Sequence, residues 1–214
     1  MAIFPFLKRI SFFFILLFTT QAIGQETIIP LTEGGWVGGL SGNVSWDDYR
    51  VNGSQVDGFN FSVSSRNGQF VINNLSVGFD LQWSEDELKT LSEYGEKDYT
   101  KNRLGFIGLW SRYYIPFIGT GASIFSEVSL GYSNYNYETE LSWDRADYIF
   151  PTHTNNSADG FVYNLGLGAT MFVSNNVAFE STVRYQGGKL TGNDNLEIEL
   201  SNIDILFGIM IYLK

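Results

Sequence analysis

The sequence predicts an all-β fold, a transmembrane up-and-down antiparallel β-barrel of about eight strands with three short turns at one end and four longer loops at the other. Three observations carry that prediction. The run Phe70-Val71-Ile72-Asn73-Asn74-Leu75-Ser76-Val77 returns 102 residues later as Phe172-Val173-Ser174-Asn175-Asn176-Val177-Ala178-Phe179, each copy an Asn pair between two β-prone runs. Asn accepts φ > 0 more readily than most residues, so both copies read as tight two-strand corners. Most of the chain alternates apolar with small or polar residues at period 2. Finally, the 214 residues carry 23 Gly and 16% aromatics but only 4 Pro, a composition of strands rather than helices.

Residues 1–24 are set aside as a signal peptide. Lys8 and Arg9 form the positive region, Ile10 to Phe18 the apolar run, and Ala22-Ile23-Gly24 a small-x-small cleavage site. The apolar run is shorter than the ~20 residues a spanning helix needs. Residues 25–214 then form one barrel domain. Without Lys8 and Arg9, 11 basic residues face 23 acidic ones, a mature charge of −12. That sign disfavours nucleic-acid binding. The absence of Cys excludes a disulfide framework, a thiol nucleophile and Cys-based metal sites.

In chain order, the first strand (35–49) places Trp36, Leu40, Val44 and Trp46 on one face. Asp47 to Asp57 reads as a polar loop. In the second strand Phe59, Phe61 and Val63 alternate with Asn60, Ser62 and Ser64, and Gly68 is read as a bulge or phase slip before the first Asn corner. The third is the cleanest: Leu75, Val77, Phe79, Leu81 and Trp83 oppose Ser76, Gly78, Asp80, Gln82 and Ser84. Glu85 to Thr100 reads as a charged loop. The fourth strand, Leu104 to Ile115, has apolar residues on both faces, so its phase stays open. Pro116 to Gly121 is a tight connection. The fifth strand sets Ile124, Val128, Leu130 and Tyr132 against Phe125, Glu127, Ser129 and Gly131. Glu138 to Asp159 reads as the longest loop. The sixth sets Phe161, Tyr163, Leu165, Leu167, Ala169 and Met171 against Asn164, Gly166, Gly168 and Thr170. The seventh sets Val177, Phe179, Ser181, Val183 and Tyr185 against Ala178, Glu180, Thr182 and Arg184. After the connection Gly187–Asn195, Ile203, Ile205, Phe207, Ile209, Ile211 and Leu213 close the chain opposite Asp204, Gly208, Met210 and Tyr212. An even strand count puts both termini on the short-turn side, and ~9–11 residues per strand suffice to cross a bilayer.

Alternation alone fits a soluble barrel as well, and Gly34-Gly35-Trp36 matches the short Gly-x-Trp signature of lipocalins. The ionisable strand residues decide the matter. Asp80, Glu127, Glu180, Arg184 and Asp204 share their face with Gly and Ser, as a narrow lumen requires. Charged residues are 17% of the chain and gather in the connections, and the chain ends inside its last strand.

The runs Ser64-Ser65-Arg66-Asn67-Gly68-Gln69 through Asn73-Asn74 to Gly78, Arg112-Tyr113-Tyr114-Ile115-Pro116, and Phe125 to Tyr132 resemble the small outer-membrane β-barrel domain family of Gram-negative bacteria. These are eight-stranded, OmpA/OmpX-like porin-type barrels. The resemblance spans the mature chain and departs at Arg66 and Gln69, where the family often has Pro and Tyr. It implies periplasmic turns, extracellular loops, an outer-membrane location and no shared catalytic residues. Gly208, Ile211 and Leu213 are similar to the family's C-terminal assembly signal, which implies the barrel-assembly machinery as a partner during biogenesis. Lys214 and Leu206 depart from that signal.

Among residues that could carry chemistry, Asp80, Arg112, Glu127, Glu180, Arg184 and Asp204 are expected to form a polar network plugging the lumen. Trp36, Trp46, Trp83, Trp110, Tyr114, Tyr132 and Tyr185 suit interfacial girdles. Glu85, Asp86, Glu87, Glu93, Glu96 and Asp98 read as a solvated acidic loop, with a divalent-cation site as the sharper alternative. His153, the single His, matches no hydrolase spacing with Ser157 or Asp147 and reads as a solvated loop residue. No catalytic, metal-ligating or cofactor-binding residue is expected. The functional expectation is a structural, surface-interaction protein anchored among outer-membrane lipids, whose extracellular ligand the sequence does not identify. A narrow pore is the alternative, and a lipid-modifying enzyme the third reading.

Overall fold

The computed structural model describes residues 30–51, 54–91, 96–117, 120–143, 152–192 and 197–214. The expected signal peptide and cleavage site, residues 1–24, lie outside them. Eight strands follow in order: β1 (Trp36–Val51), β2 (Ser54–Ile72), β3 (Leu75–Leu91), β4 (Glu96–Phe117), β5 (Ala122–Trp143), β6 (Thr152–Phe172), β7 (Val177–Gly192) and β8 (Glu197–Leu213). Each pairs antiparallel with its sequence neighbours, and β8 returns to β1, closing the ring. Where β1 and β8 pair, over Trp36–Gly42 and Phe207–Leu213, closure removes the free sheet edges that lipid cannot satisfy.

The strands are much longer than the crossing requires. β4 and β5 have 22 residues each, about 70 Å of strand along the chain. The predicted long loops are therefore largely strand. Asp47–Asp57 contributes to β1 and β2, Glu85–Thr100 to β3 and β4, Glu138–Asp159 to β5 and β6, and Gly187–Asn195 to β7. The reason is physical. Hairpin pairing satisfies backbone groups whether or not the side chains alternate in polarity. Such pairing needs no sustained apolar row, so these stretches carry only scattered buried apolar positions such as Val56, Ala158 and Leu190.

At the opposite end the two Asn corners differ. Asn73 and Asn74 alone separate β2 from β3, with only Asn74 left-handed at φ 68. The register shift lies between Phe70 and Ile72, while Gly68 pairs in unbroken register with Gly78, so no slip occurs at Gly68. Gly68 and Gly78 are needed there for closeness: a Cβ on Gly78 would sit 2.0 Å from the Asn67 carbonyl oxygen. At the second corner four residues, 173–176, connect the strands, and neither Asn175 nor Asn176 takes positive φ. Ser174 Oγ instead accepts the amides of Asn176 (3.3 Å) and Val177 (3.1 Å). Asn176 Nδ2 donates to the Tyr212 carbonyl at 2.6 Å, tying this turn to β8.

Candidate functional site

Side-chain direction follows the pleat with little interruption. Leu40, Val44, Phe79, Leu81, Ile107, Leu109, Leu130, Leu165, Leu167, Val183, Ile205 and Ile209 all face outward and are exposed. Ser64, Asp80, Arg112, Glu127, Ser129, Asn164, Glu180 and Arg184 face inward and are buried. A water-soluble fold has the reverse arrangement, and a continuous apolar exterior of this extent demands an apolar solvent. The protein is a transmembrane β-barrel.

The phase that the sequence left open on the fourth strand is now settled. Phe106, Trp110, Arg112 and Tyr114 point into the barrel, and Ile107, Leu109, Tyr113 and Ile115 point out. Trp110 and Tyr114 are therefore lumen residues and not members of an interfacial girdle, a correction to the sequence expectation. Aromatic residues on both faces of β4 hid the phase. Trp36, Trp46, Trp83 and Tyr132 do face outward.

Along each strand the barrel's interior passes through successive layers, starting from the short-turn end. First comes an aromatic cluster built from Phe70, Tyr114, Phe125, Phe172 and Tyr212 with Val37, Met210 and Leu31. Above it Arg112 (0% exposed) donates through Nη1 to Glu180 at 2.7 and 2.8 Å, and through Nη2 to Glu127 at 2.7 Å. Its guanidinium lies 3.8 Å from the Phe125 ring centroid, a cation–π contact in a desolvated site. Glu180 also accepts from Thr170 (3.1 Å) and from the Tyr212 hydroxyl (3.0 Å). Two glycines make room. A Cβ on Gly166 would lie 2.6 Å from Glu127 Cγ, and one on Gly168 would lie 2.3 Å from Phe125 Cζ.

Arg66, absent from the expected network, links its two halves. Its Nη2 is 3.1 Å from Glu127 and its Nε 3.7 Å from Asp80. Asp80 in turn accepts from Ser64 (2.9 Å) and Gln82 (2.6 Å). Arg66 continues the inward phase of Ser62 and Ser64, which is the signal that would have found it. Of the six residues expected to come together, Asp80, Arg112, Glu127 and Glu180 are joined through Arg66. Arg184 and Asp204 form a separate pair, 3.1 Å apart, further toward the long-strand end. Beyond them the interior turns apolar again, where Phe106, Ala158, Val162, Leu190 and Leu200 pack with Leu104, Tyr135 and Ile198. The expectation of a lumen lined by glycines, hydroxyls and ions thus holds for the middle layers only.

The acidic run does not gather into a cluster. On β3, Glu85 and Glu87 point outward and Asp86 inward, because a strand alternates. Lys101 Nζ sits 2.7 Å from both Glu85 and Glu87, and Arg103 bridges Glu85 and Glu138 at 3.1 Å each. These groups lie beyond Trp83, outside the apolar band. Hydrogen bonding to Lys101 holds both the Glu85 and Glu87 carboxyls below their usual 4.5. Among the described residues no group of acids or His is placed to hold a metal ion. Glu93 and the side chains of Glu96 and His153 lie outside what is described, although the His153 backbone pairs with Glu140 within the β5–β6 ladder. His153 is thus a strand residue and not part of a free loop. Of the residues expected to form an assembly signal, Ile211 and Leu213 face outward on β8, and Gly208 packs its backbone against Ser41 and the Leu40 carbonyl.

No protein-family model and no characterised protein sequence matches the chain. Solved structures to which the chain is similar include Neisserial surface protein A, at 14% identity over 84% of this chain and 97% of that one, with a TM-score of 0.43. Another is the outer membrane protein OprG from Pseudomonas aeruginosa, at 10% identity over 87% and 99%, with a TM-score of 0.46. A third is Ail, the attachment invasion locus protein of Yersinia pestis, solved with the heparin analogue sucrose octasulfate, at 16% identity over 85% and 100%, with a TM-score of 0.41. The matched folds are eight-stranded outer-membrane barrels.

Proposed function

We propose that this barrel resides in a bacterial outer membrane, closed to solutes, and works through the sheet it raises above the membrane. The observation that carries this reading is the braced interior. Arg112, fully buried, spans from Glu127 to Glu180 directly above a packed aromatic cluster. An eight-stranded barrel is just wide enough for side chains to fill it, and the buried Arg112 layer over the aromatic cluster supports a filled interior. The elongated hairpins then present polar, mostly wet surface beyond the apolar band, which is where a partner can be met. Gly208, Ile211 and Leu213 serve delivery, as the strand that the barrel-assembly machinery recognises.

Two measurements test this. Purified protein in a planar bilayer should give no steady single-channel openings; regular openings would favour the narrow pore. In cells, Thr154→Cys should react with a membrane-impermeant maleimide, while Asn175→Cys at the opposite end should not. Labelling of Asn175→Cys alone would invert the proposed orientation.

A further inference from the structure

Among the described residues the seam between β1 and β8 has the shortest ladder in the ring. β4 and β5 pair along their whole lengths, Glu96–Phe117 against Ala122–Trp143. β1 meets β8 only over Trp36–Gly42 and Phe207–Leu213. Above that point β1 continues beside β2, and β8 beside β7, but the two do not meet. The separation begins within the apolar band. Val44 and Trp46 on one side, and Ile203 and Ile205 on the other, are exposed outward-facing apolar residues. At the foot of the opening lies a groove of about 700 Å³, floored by Gly39, Gly42 and Gly208 and walled by Leu40, Phe61 and Phe207.

A gap here poses a chemical problem that the rest of the wall does not. Hydrocarbon offers nothing to backbone N–H and C=O groups, and each one left unmet there costs several kcal/mol. The edge groups of Asn43–Trp46 and Ile203–Leu206 have no ladder partner across the seam. An alkyl chain alone would fill the groove without meeting them. A diffusing water would meet them without filling it. An acylated lipid fills the groove with its chain, while the carbonyl oxygen joining chain to headgroup accepts from edge N–H groups above and the headgroup ammonium donates to edge C=O groups. The groove is continuous with the lipid-facing band, so its neighbour is bilayer lipid.

We propose that the β1–β8 seam is a specific acyl-lipid site, one chain of a lipid from the long-strand leaflet taking the place of the missing strand pairing. This rests on the transmembrane reading and is independent of whether the lumen conducts.

The chain contains no Cys, so the seam can be closed by design. Extending the observed β1–β8 register places Val44 opposite Ile205. The probe is a phosphatidylethanolamine spin-labelled on its acyl chain, in vesicles holding the full barrel. Unmodified protein should immobilise a lipid population distinct from the rapidly exchanging annulus. Val44→Cys/Ile205→Cys should lose that population when oxidised and regain it on reduction. Leu40→Trp, which fills the groove without a cross-link, should weaken retention about tenfold, roughly the worth of 1.4 kcal/mol. Heat-modifiable gel mobility establishes that each variant is folded. The proposal is overturned if wild-type protein shows only annular lipid, or if the oxidised seam holds the immobilised lipid unchanged. Loss of folded mobility in the wild type would instead strike at the barrel reading itself.

Discussion

Arg112 and Arg103 stand on the same strand, and each bridges two carboxylates on other strands: β5 and, across the lumen, β7 for Arg112; the adjacent β3 and β5 for Arg103. Their contact distances differ little: 2.7 Å to Glu127 and Glu180 for one, 3.1 Å to Glu85 and Glu138 for the other. Their surroundings differ entirely. Arg112 points into the lumen with no exposed surface, whereas the Arg103 side chain is 34% exposed on the outer wall. Identical chemistry therefore has different consequences. Inside, removing one partner strands the others as unpaired charges; outside, water and salt replace what is lost.

The largest effect should follow Arg112→Met. Glu180 would lose its buried counter-charge and Glu127 would be left with Arg66, and urea unfolding in lipid vesicles should show a loss of about 3–5 kcal/mol. Adding Glu180→Gln should recover part of it, since the uncompensated charge is then gone. A loss below 1 kcal/mol would mean that water already reaches the site, and the contrast with Arg103 would dissolve. Next in size is Gly166→Val, which drives a side chain into the Glu127 carboxylate. It should cost roughly 1–3 kcal/mol through overpacking, measured in the same unfolding assay. Arg103→Ala should cost at most about 1 kcal/mol, and less in molar salt, where screening is short-ranged.

Much of this contrast could be read in the sequence, and the remainder could not for definite reasons. Asp80, Glu127, Glu180 and Arg184 were legible because they share a face with Gly, Ser and Thr opposite a predominantly apolar row. Arg66 was hidden by its nearness to the corner, where a presumed slip at Gly68 broke the phase. Trp110 and Tyr114 were misassigned because β4 is aromatic on both faces, and periodicity cannot choose between two apolar rows. The outer hairpins looked like loops because their apolar residues are sparse and interspersed with polar and charged ones, and pairing along them depends on backbone hydrogen bonds that no residue pattern announces. The short β1–β8 seam joins the two ends of the chain, so nothing local encodes it.

The smallest expected effect sharpens the same comparison through pH. Hydrogen bonds from Lys101 lower the Glu85 and Glu87 carboxyls in the folded state. Groups depressed in this way stabilise above their usual value of 4.5, and that stabilisation is lost as pH falls through the lower folded value. Being partly exposed, the cluster should contribute no more than about 1 kcal/mol. Hydrogen exchange should then quicken at the outer ends of β3 and β4 when pH is lowered from 6 to 3, after correction for intrinsic rates, while Ser76–Leu81 stays protected. Uniform loss of protection along β3 would contradict the division.

Everything depends on which way the pleat faces, and a pair of adjacent residues on β5 reads this directly. Leu130 points outward and Ser129 inward. A fluorophore on Leu130→Cys, with the protein folded in vesicles, should be strongly quenched by a quencher carried on lipid acyl chains. The same fluorophore on Ser129→Cys should be quenched weakly. Equal quenching at both positions, or stronger quenching at Ser129→Cys, would contradict an apolar exterior set in the bilayer.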